Sequence, residues 1–280
     1  MANIFDDLVQ QLANSGTESP RLEARLLLAE VLNKEPSEIF ADIELAPAQD
    51  KNLQNLLQRR LSHEPLDKIL GKRDFYRATF KVSDKVLSPR ADTETLVEAA
   101  LRLLPSDNPT TILDLGTGSG CIIESLLLER PSAQGVAIDI SPEALQIAAD
   151  NAVNLGVANR LKFIQASWFY ADFATRLAQK FDLIVTNPPY IPTKDIATLM
   201  PEVQKYDPLL ALDGGTDGFD SYKRIAELAP ILLKDGGYIL LEAGIGQAEQ
   251  IAEIFAAQEL YLVDIIRDLA GIKRCVVMRK

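Results

Sequence analysis

One histidine, two cysteines and one tryptophan are all that 280 residues hold of these types, and each scarcity removes a class of chemistry. Cys121 and Cys275 have no metal-like spacing, so neither a disulfide framework nor a zinc or other metal site is expected, and a reducing cytoplasm is the default compartment. The lone histidine, His63 in "RRLSHEPL", lies far from every glycine-rich segment and reads as a surface or capping residue. A Ser-His or Cys-His catalytic unit therefore lacks its base. No apolar run approaches the roughly 20 residues of a membrane span. The opening "MANIFDDLVQQLANSG" carries acids early and has no basic region before an apolar core, unlike a secretory signal. Basic clusters are missing too: 29 Lys and Arg against 40 Asp and Glu leave a net charge of −11, which repels phosphate backbones. Tight binding of naked nucleic acid is not expected.

What is present is the composition of a soluble globular protein, 47% hydrophobic and 25% charged, long enough for one large domain or a medium one with a small partner. The first 65 or so residues read as helices. In "SPRLEARLLLAEVLN" Ser19 is a candidate N-cap, Pro20 suits the first helical position, and Leu22, Leu26, Leu27 and Val31 recur at helical spacing. In "DKNLQNLLQRRLSHEP" Leu53, Leu56, Leu57 and Leu61 mark a second stripe, ended by Pro65. Gly71 then breaks the pattern, and "DFYRATFKV", rich in aromatic and β-branched residues, predicts a short hairpin between two domains. After Pro89, "ADTETLVEAALRLLP" returns to helix, with Asp92 a candidate cap and Leu96, Ala100 and Leu103 facing inward.

From residue 110 onward strand-like and helix-like segments alternate: "TTILDLG", "QGVAIDI", "LKFIQA", "FDLIVTN" and "GYILLEAG" are separated by helical stretches. This predicts an α/β fold with a mainly parallel sheet covered on both faces. "ELYLVDIIRD" and "IKRCVVMRK" follow one another with no helix between them, so they should close the sheet as an antiparallel edge hairpin.

In "TTILDLGTGSGCIIESLLLE" a buried strand gives way to Gly116, Gly118 and Gly120 and then to a helix, a turn that lets the backbone approach a ligand closely. The dinucleotide spacing G-x-G-x-x-G fails in both frames, ending on Cys121 or on Ile123, and no Lys-Ser/Thr pair follows as a P-loop requires. The second strand ends in Asp139, about 20 residues on, where an acid can accept both hydroxyls of a ribose. Its competing role is a helix cap, for which Ser141, followed by Pro142, is better placed. An adenosine cofactor without a phosphate site points to S-adenosylmethionine, whose cationic sulfonium suits an acidic cleft. Trp168, in "FIQASWFY", would lie beside the adenine or pack in the core.

The fourth strand delivers "NPPY" to the carboxyl edge of the sheet. Pro188 and Pro189 stiffen the backbone and leave the carbonyls of Asn187 and Pro188 uncommitted. With the Asn187 side-chain oxygen they form a set of acceptors for a planar –NH2, a carboxamide or the exocyclic amine of a base. Holding both N–H bonds orients such a nitrogen toward the sulfonium methyl, so catalysis would rest on positioning and needs no histidine. Tyr190 would pack on the flat guest. The four residues could also be a mere strand terminator.

"DLGTGSG", "NPPYIP", "SPRADTE", "GKRDFY", "LLALDGGTDGFDSY", "LEAGIGQ" and "RDLAGIKR" occur in an order and spacing that resembles the release factor glutamine methyltransferases, PrmC or HemK, over nearly the whole chain. The resemblance implies a Rossmann-like class I methyltransferase sheet, preceded by a small all-helical domain joined through a β-hairpin. On this footing residues 1–70 would be a substrate-recognition bundle, 71–88 a hairpin linker and 89–280 the catalytic domain. It implies transfer of a methyl group from S-adenosylmethionine to the side-chain nitrogen N5 of the glutamine in the Gly-Gly-Gln motif of peptide chain release factors. Gly116, Thr117, Gly118, Ser119, Gly120 and Asp139 would then bind the cofactor, with Trp168 at the adenine and Asn187 beside the methyl group. Asn187, Pro188, Pro189 and Tyr190 would hold the glutamine, and Arg90 and Glu94 would stand near the substrate entrance unless they form only a helix-start ion pair. Three departures concern docking: Ser167 replaces an acid before the tryptophan, Ser88 and Ala91 stand in "LSPRADTE", and "YDP" replaces a Glu-Pro. Two other functions compete: an N-methyltransferase acting on an exocyclic amine of a nucleic-acid base, disfavoured by the acidic charge, and a non-catalytic binder of S-adenosylmethionine, disfavoured by the intact acceptor loop.

Overall fold

A computed structural model of the protein describes residues 3–40, 43–104 and 108–280. The chain separates into two compact units, one drawn from the chain up to Gly71 together with Met200–Tyr206, the other comprising Lys72–Leu199 and Asp207–Lys280.

The smaller unit contains α1 (Ile4–Asn14), α2 (Pro20–Leu32), α3 (Pro47–Leu61) and α4 (Leu66–Leu70). Asn3 caps α1, its side chain accepting the Phe5 N–H at 3.0 Å, and Phe5, Leu8 and Leu12 form the buried stripe. In α2 Pro20 takes the first position as expected, but Ser19 makes no capping bond. The buried face of α2 is Ala24, Leu27, Leu28 and Val31, whereas Leu22 is 54% exposed. Leu27 and Val31 of the expected stripe are buried and Leu22 is not, because hydropathy alone underweights Ala24, which takes its place on the buried face. Leu53, Leu56 and Leu57 of α3 are buried as their spacing requires. His63, just beyond α3, is exposed with φ +67°, and its N–H closes the helix end on the Arg60 carbonyl. Arg60 lies between Glu23 at 2.6 Å and Glu202 at 2.7 Å, and Lys68 Nζ donates to the Tyr206 carbonyl at 2.7 Å. These bonds anchor Met200–Tyr206, a late stretch of sequence, within this early unit.

The larger unit opens with the antiparallel hairpin β1 (Lys72–Phe75) and β2 (Ala78–Lys81). Phe75 and Phe80 are buried edge to face, 6.0 Å apart. Then come α5 (Ala91–Leu103), β3 (Thr111–Leu115), α6 (Cys121–Glu129), β4 (Gln134–Asp139), α7 (Pro142–Asn154), β5 (Leu161–Gln165), α8 (Phe173–Leu177) and β6 (Phe181–Thr186). After β6 follow α9 (Asp220–Leu232), β7 (Leu233–Glu242), α10 (Ala248–Ala256), β8 (Tyr261–Arg267) and β9 (Lys273–Arg279). The hairpin is fastened to α7, where Asn151 accepts the Lys81 N–H at 2.8 Å and donates to the Lys81 carbonyl at 3.1 Å. Asp92, expected as the cap of α5, sits instead inside its first turn, paired with Arg274 at 2.9 Å; Arg90 holds the cap position without a side-chain capping bond.

The seven-stranded sheet has the order β5-β4-β3-β6-β7-β9-β8, parallel from β5 to β7 and antiparallel through β9 and β8. Successive residues face opposite layers. Leu113, Leu115 and Ile184 join the core formed with α8, α9 and α10, while Ile112, Leu183 and Val185 join the core under α5, α6 and α7. Both central strands must therefore be mostly apolar, and Asp114 in β3 and Asp182 in β6 are the charged exceptions. The chain runs outward from β3 through β4 to β5, then returns to place β6 on the other side of β3. The loops leaving β3 and β6 diverge there, which opens a crevice at the carboxyl edge. Among the described residues no helix is long and apolar enough to cross a membrane, and no group of three or more His, Cys, Asp or Glu could hold a metal ion.

Ile184, fully buried in β6, tests this core: Ile184→Ala should cost about 2–5 kcal/mol, read as a lower urea midpoint with an unchanged slope.

Candidate active site

A cavity of about 670 Å³ occupies that crevice, a volume in the range of small-molecule sites. Its floor is the turn after β3. Gly116, Gly118 and Gly120 all have positive φ, and the Gly116 and Thr117 N–H groups donate to the Ile138 carbonyl at 2.9 Å. A Cβ on Gly116 would stand 3.3 Å from the Trp168 ring, so the absence of a side chain lets the indole lie over the turn. Gly116, Thr117, Gly118, Ser119, Asp139, Trp168, Asn187 and Pro189 line the cavity together, although they come from the ends of four strands. Gly120 lies beneath it as the N-cap residue of α6.

Asp139 is tied at both oxygens, Oδ2 accepting the Gly118 N–H and Oδ1 the Ser141 N–H, each at 2.9 Å. One lone pair on each oxygen remains for a ligand. Burial raises its pKa, against the pull of those backbone N–H groups. Ser141 caps α7 through the Ala144 N–H at 3.1 Å, as expected of it. The Trp168 indole Nε1 is buried with no acceptor among the described residues. Ser167, also at the cavity, accepts the Phe169 N–H at 3.2 Å.

Thr186 brings the two loops level, its hydroxyl donating to the Leu115 carbonyl at 2.7 Å. Asn187 follows directly. Its Nδ2 lies 3.5 Å from Thr93 Oγ1, while among the described residues no donor lies on its Oδ1 or on the main-chain oxygens of Asn187 and Pro188. Pro188 is buried and Tyr190 half-buried. The Tyr190 carbonyl accepts from Gln247 Nε2 at 3.1 Å, and burial pushes its phenol up to about 12. Behind the loop, Gly214 packs backbone to backbone. A Cβ there would meet the Tyr190 Cα at 2.8 Å and the Pro189 carbonyl at 2.9 Å, and the Gly214 N–H donates to the Ile191 carbonyl at 2.9 Å.

Two family models cover most of the chain: one described as the PrmC N-terminal domain matches residues 3–71, and one for a methyltransferase domain matches residues 106–276. The release factor glutamine methyltransferase of Rhodospirillum rubrum is 42% identical over 282 residues, covering 100% of this chain and 85% of that one. The chain belongs to the release factor glutamine methyltransferase family. The member from Bradyrhizobium diazoefficiens is likewise 42% identical, over 98% of this chain and 92% of its own. Among solved structures, a methyltransferase from Pyrococcus furiosus (TM-score 0.53, 14% identity, 81% of this chain and 98% of that one) shares the fold. So does the catalytic domain of hMettl16 (TM-score 0.55, 13% identity, 71% and 74%).

Not every residue expected at the site lines the cavity. Arg90 does, paired with Asp207 at 3.0 Å. Glu94 does not: its carboxylate turns to the hairpin and accepts the Tyr76 N–H at 2.9 Å, because one helical position separates it from the inward-facing Thr93. Neither Pro188 nor Tyr190 has a place in the lining, the first buried and the second packed against the core. Sequence reasoning passed over Thr93, Glu124 and Glu242, all buried, as is Asp114, the acid that precedes the glycine turn. For Asp114 and Glu124 an acid inside an otherwise apolar run was the available signal. Burial pushes Asp114 up to about 7, opposed by the Thr117 hydroxyl 2.8 Å away. Glu124 rises to about 9 through burial and the nearby Asp114, and neither of its oxygens has a partner among the described residues.

A carboxyl whose pKa rises on folding holds its proton more tightly in the native state. Its contribution is intact below the unfolded value near 4.5 and is lost as pH climbs toward about 9. Glu124→Gln should therefore gain melting temperature over the wild type progressively from pH 5 to pH 9; a difference that shrinks over this range would mean a charged, paired Glu124. Gly214→Ala, by forcing the main chain at Pro189 and Tyr190 to move, should lower turnover at least tenfold while cofactor affinity, measured by calorimetry, stays within about threefold.

Proposed function

We propose that the protein transfers the methyl group of S-adenosylmethionine to the side-chain nitrogen N5 of the glutamine in the Gly-Gly-Gln motif of peptide chain release factors, in the cytoplasm where they act. One observation carries the reading: three carbonyl oxygens, the Asn187 side chain and the main chain of Asn187 and Pro188, have no donor among the described residues and follow the strand end beside the glycine turn. Relatives that match over nearly all of this chain carry the release factor glutamine methyltransferase name, which supports the substrate class.

The residues present fit the cofactor. A glycine turn on which a Cβ would crowd the indole at 3.3 Å, an acid whose oxygens each accept one backbone N–H, and a buried indole N–H with no acceptor among the described residues suit an adenosine better than a polyphosphate. When bound, S-adenosylmethionine supplies an electrophilic methyl on its sulfonium. Gly116 to Gly120 would cradle it, Asp139 would accept the ribose hydroxyls, and Trp168 would border the adenine. Asn187 Oδ1 and the Pro188 carbonyl would take the two N–H bonds of the substrate amide. An amide nitrogen is a weak nucleophile because its lone pair is delocalised, so fixing both N–H bonds supplies orientation and favours localisation. Pro189 stiffens the loop and Tyr190 holds it from behind. No base near the nitrogen is needed before transfer, since the nitrogen becomes acidic only as it gains the methyl.

The decisive experiment offers labelled S-adenosylmethionine with a release factor or with DNA and RNA. The expected result is a mass shift of one methyl on a single glutamine; label on nucleic acid with none on the release factor would transfer the reading to an exocyclic base amine. Asn187→Ala should lower turnover by about 10²-fold or more with cofactor affinity within about threefold, and unchanged turnover would remove Asn187 from this role.

A further inference from the structure

The two ends of a carboxamide have the same shape, so nothing in Asn187 itself determines whether its oxygen or its nitrogen faces a substrate. The surroundings do. Thr93 Oγ1, on α5 at the cavity wall, lies 2.5 Å from Oε2 of Glu242, the last residue of β7 and 149 residues away in sequence. Both are 2% exposed. An ionised carboxylate can only accept, and a threonine hydroxyl has one hydrogen to give. With that hydrogen on Glu242, the Thr93 oxygen can only accept in turn. Its neighbour on the other side is Asn187, whose nitrogen is 3.5 Å away, a long contact of the kind that tightens when a substrate is bound. The Glu242 main chain is itself held in place, since its carbonyl oxygen accepts the buried Tyr222 hydroxyl at 2.7 Å. Burial pushes the Glu242 carboxyl up to about 7, and the Thr93 hydroxyl and Arg274 pull it back toward the ionised form.

We propose that Thr93 and Glu242 are positioning residues that fix the amide of Asn187 with its nitrogen turned to Thr93 and its oxygen presented to the substrate. This rests on the function proposed above. A reversed amide would set an –NH2 against the –NH2 of the incoming glutamine, two donors with no acceptor between them. Neither Thr93 nor Glu242 touches the reacting atoms; the chain from acid to hydroxyl to amide acts only through Asn187.

The test compares Thr93→Val, which keeps the shape and removes the hydroxyl, with Thr93→Ser, which keeps the hydroxyl. Turnover, the KM for S-adenosylmethionine and its dissociation constant are measured on the full chain with a release factor as substrate. T93V should lose at least tenfold in kcat with both cofactor constants within twofold of wild type, and T93S should stay within threefold of wild type. T93V leaves the buried Glu242 carboxyl without the hydroxyl it accepts from and can fail to fold. The double variant Thr93→Val with Glu242→Met removes both partners and should fold like the wild type while keeping the loss in kcat. A second readout needs no substrate: in protein labelled with [15N]asparagine, the Asn187 side-chain –NH2, assigned by its disappearance in N187A, should exchange its protons several-fold faster in the hydroxyl-free variant. Wild-type turnover in T93V or in the folded double variant, impairment of T93S equal to that of T93V, or unchanged amide exchange would overturn the proposal. A wild-type enzyme that leaves the release factor unmethylated would strike the substrate reading instead, and the exchange measurement would still decide the relay.

Discussion

The bond from the Thr186 hydroxyl to the Leu115 carbonyl, 2.7 Å long and fully buried, sets the level at which two parallel strands stop. The glycine turn begins one residue beyond Leu115 and the acceptor loop one residue beyond Thr186. A slip of a single residue between β3 and β6 would reverse every side chain of one strand between the two cores, so the apolar pattern resists it. The site thus takes its dimensions from sheet register, and the loops contribute chemistry on a frame they do not have to build.

That division explains which parts could be read from the amino-acid order. Strand and helix periodicity, the glycine turn, the acid ending β4 and the stiff "NPPY" all act over a few neighbouring residues, and the structure brings Gly116, Asp139, Trp168 and Asn187 to one cavity. What escaped depends on partners far along the chain. Thr93 looks like an ordinary first-turn residue until Glu242 meets it, and Glu94 beside it points elsewhere because of the Tyr76 backbone. Leu22 was misplaced for a related reason: α2 buries the small Ala24, and packing distance carries no hydropathy signal. Met200–Tyr206 has no local mark of the unit it joins, since Glu202 and Tyr206 acquire meaning only from Arg60 and Lys68.

Acids surround the cavity at several depths. Asp139 faces it, Asp114 and Glu124 lie buried in the strand and helix that flank the glycine turn, and Glu242 lies buried against Thr93 of its wall. Their environments differ in kind: backbone N–H groups for Asp139, hydroxyls for Asp114 and Glu242, and no partner among the described residues for Glu124. A cationic ligand would ease the crowding of negative charge, and burial together with the nearby Asp114 favours the neutral form of Glu124.

The excursion of residues 200–206 bears on how such proteins can be recombined. A chimera cut at Gly71, the place where composition and a family model both change, would import a foreign partner for Glu202 and leave a foreign Arg60 equivalent facing a host segment. Modules that look separable as consecutive text share a thread that crosses the cut, so a grafted N-terminal unit must travel with its matching seven residues or be redesigned against them.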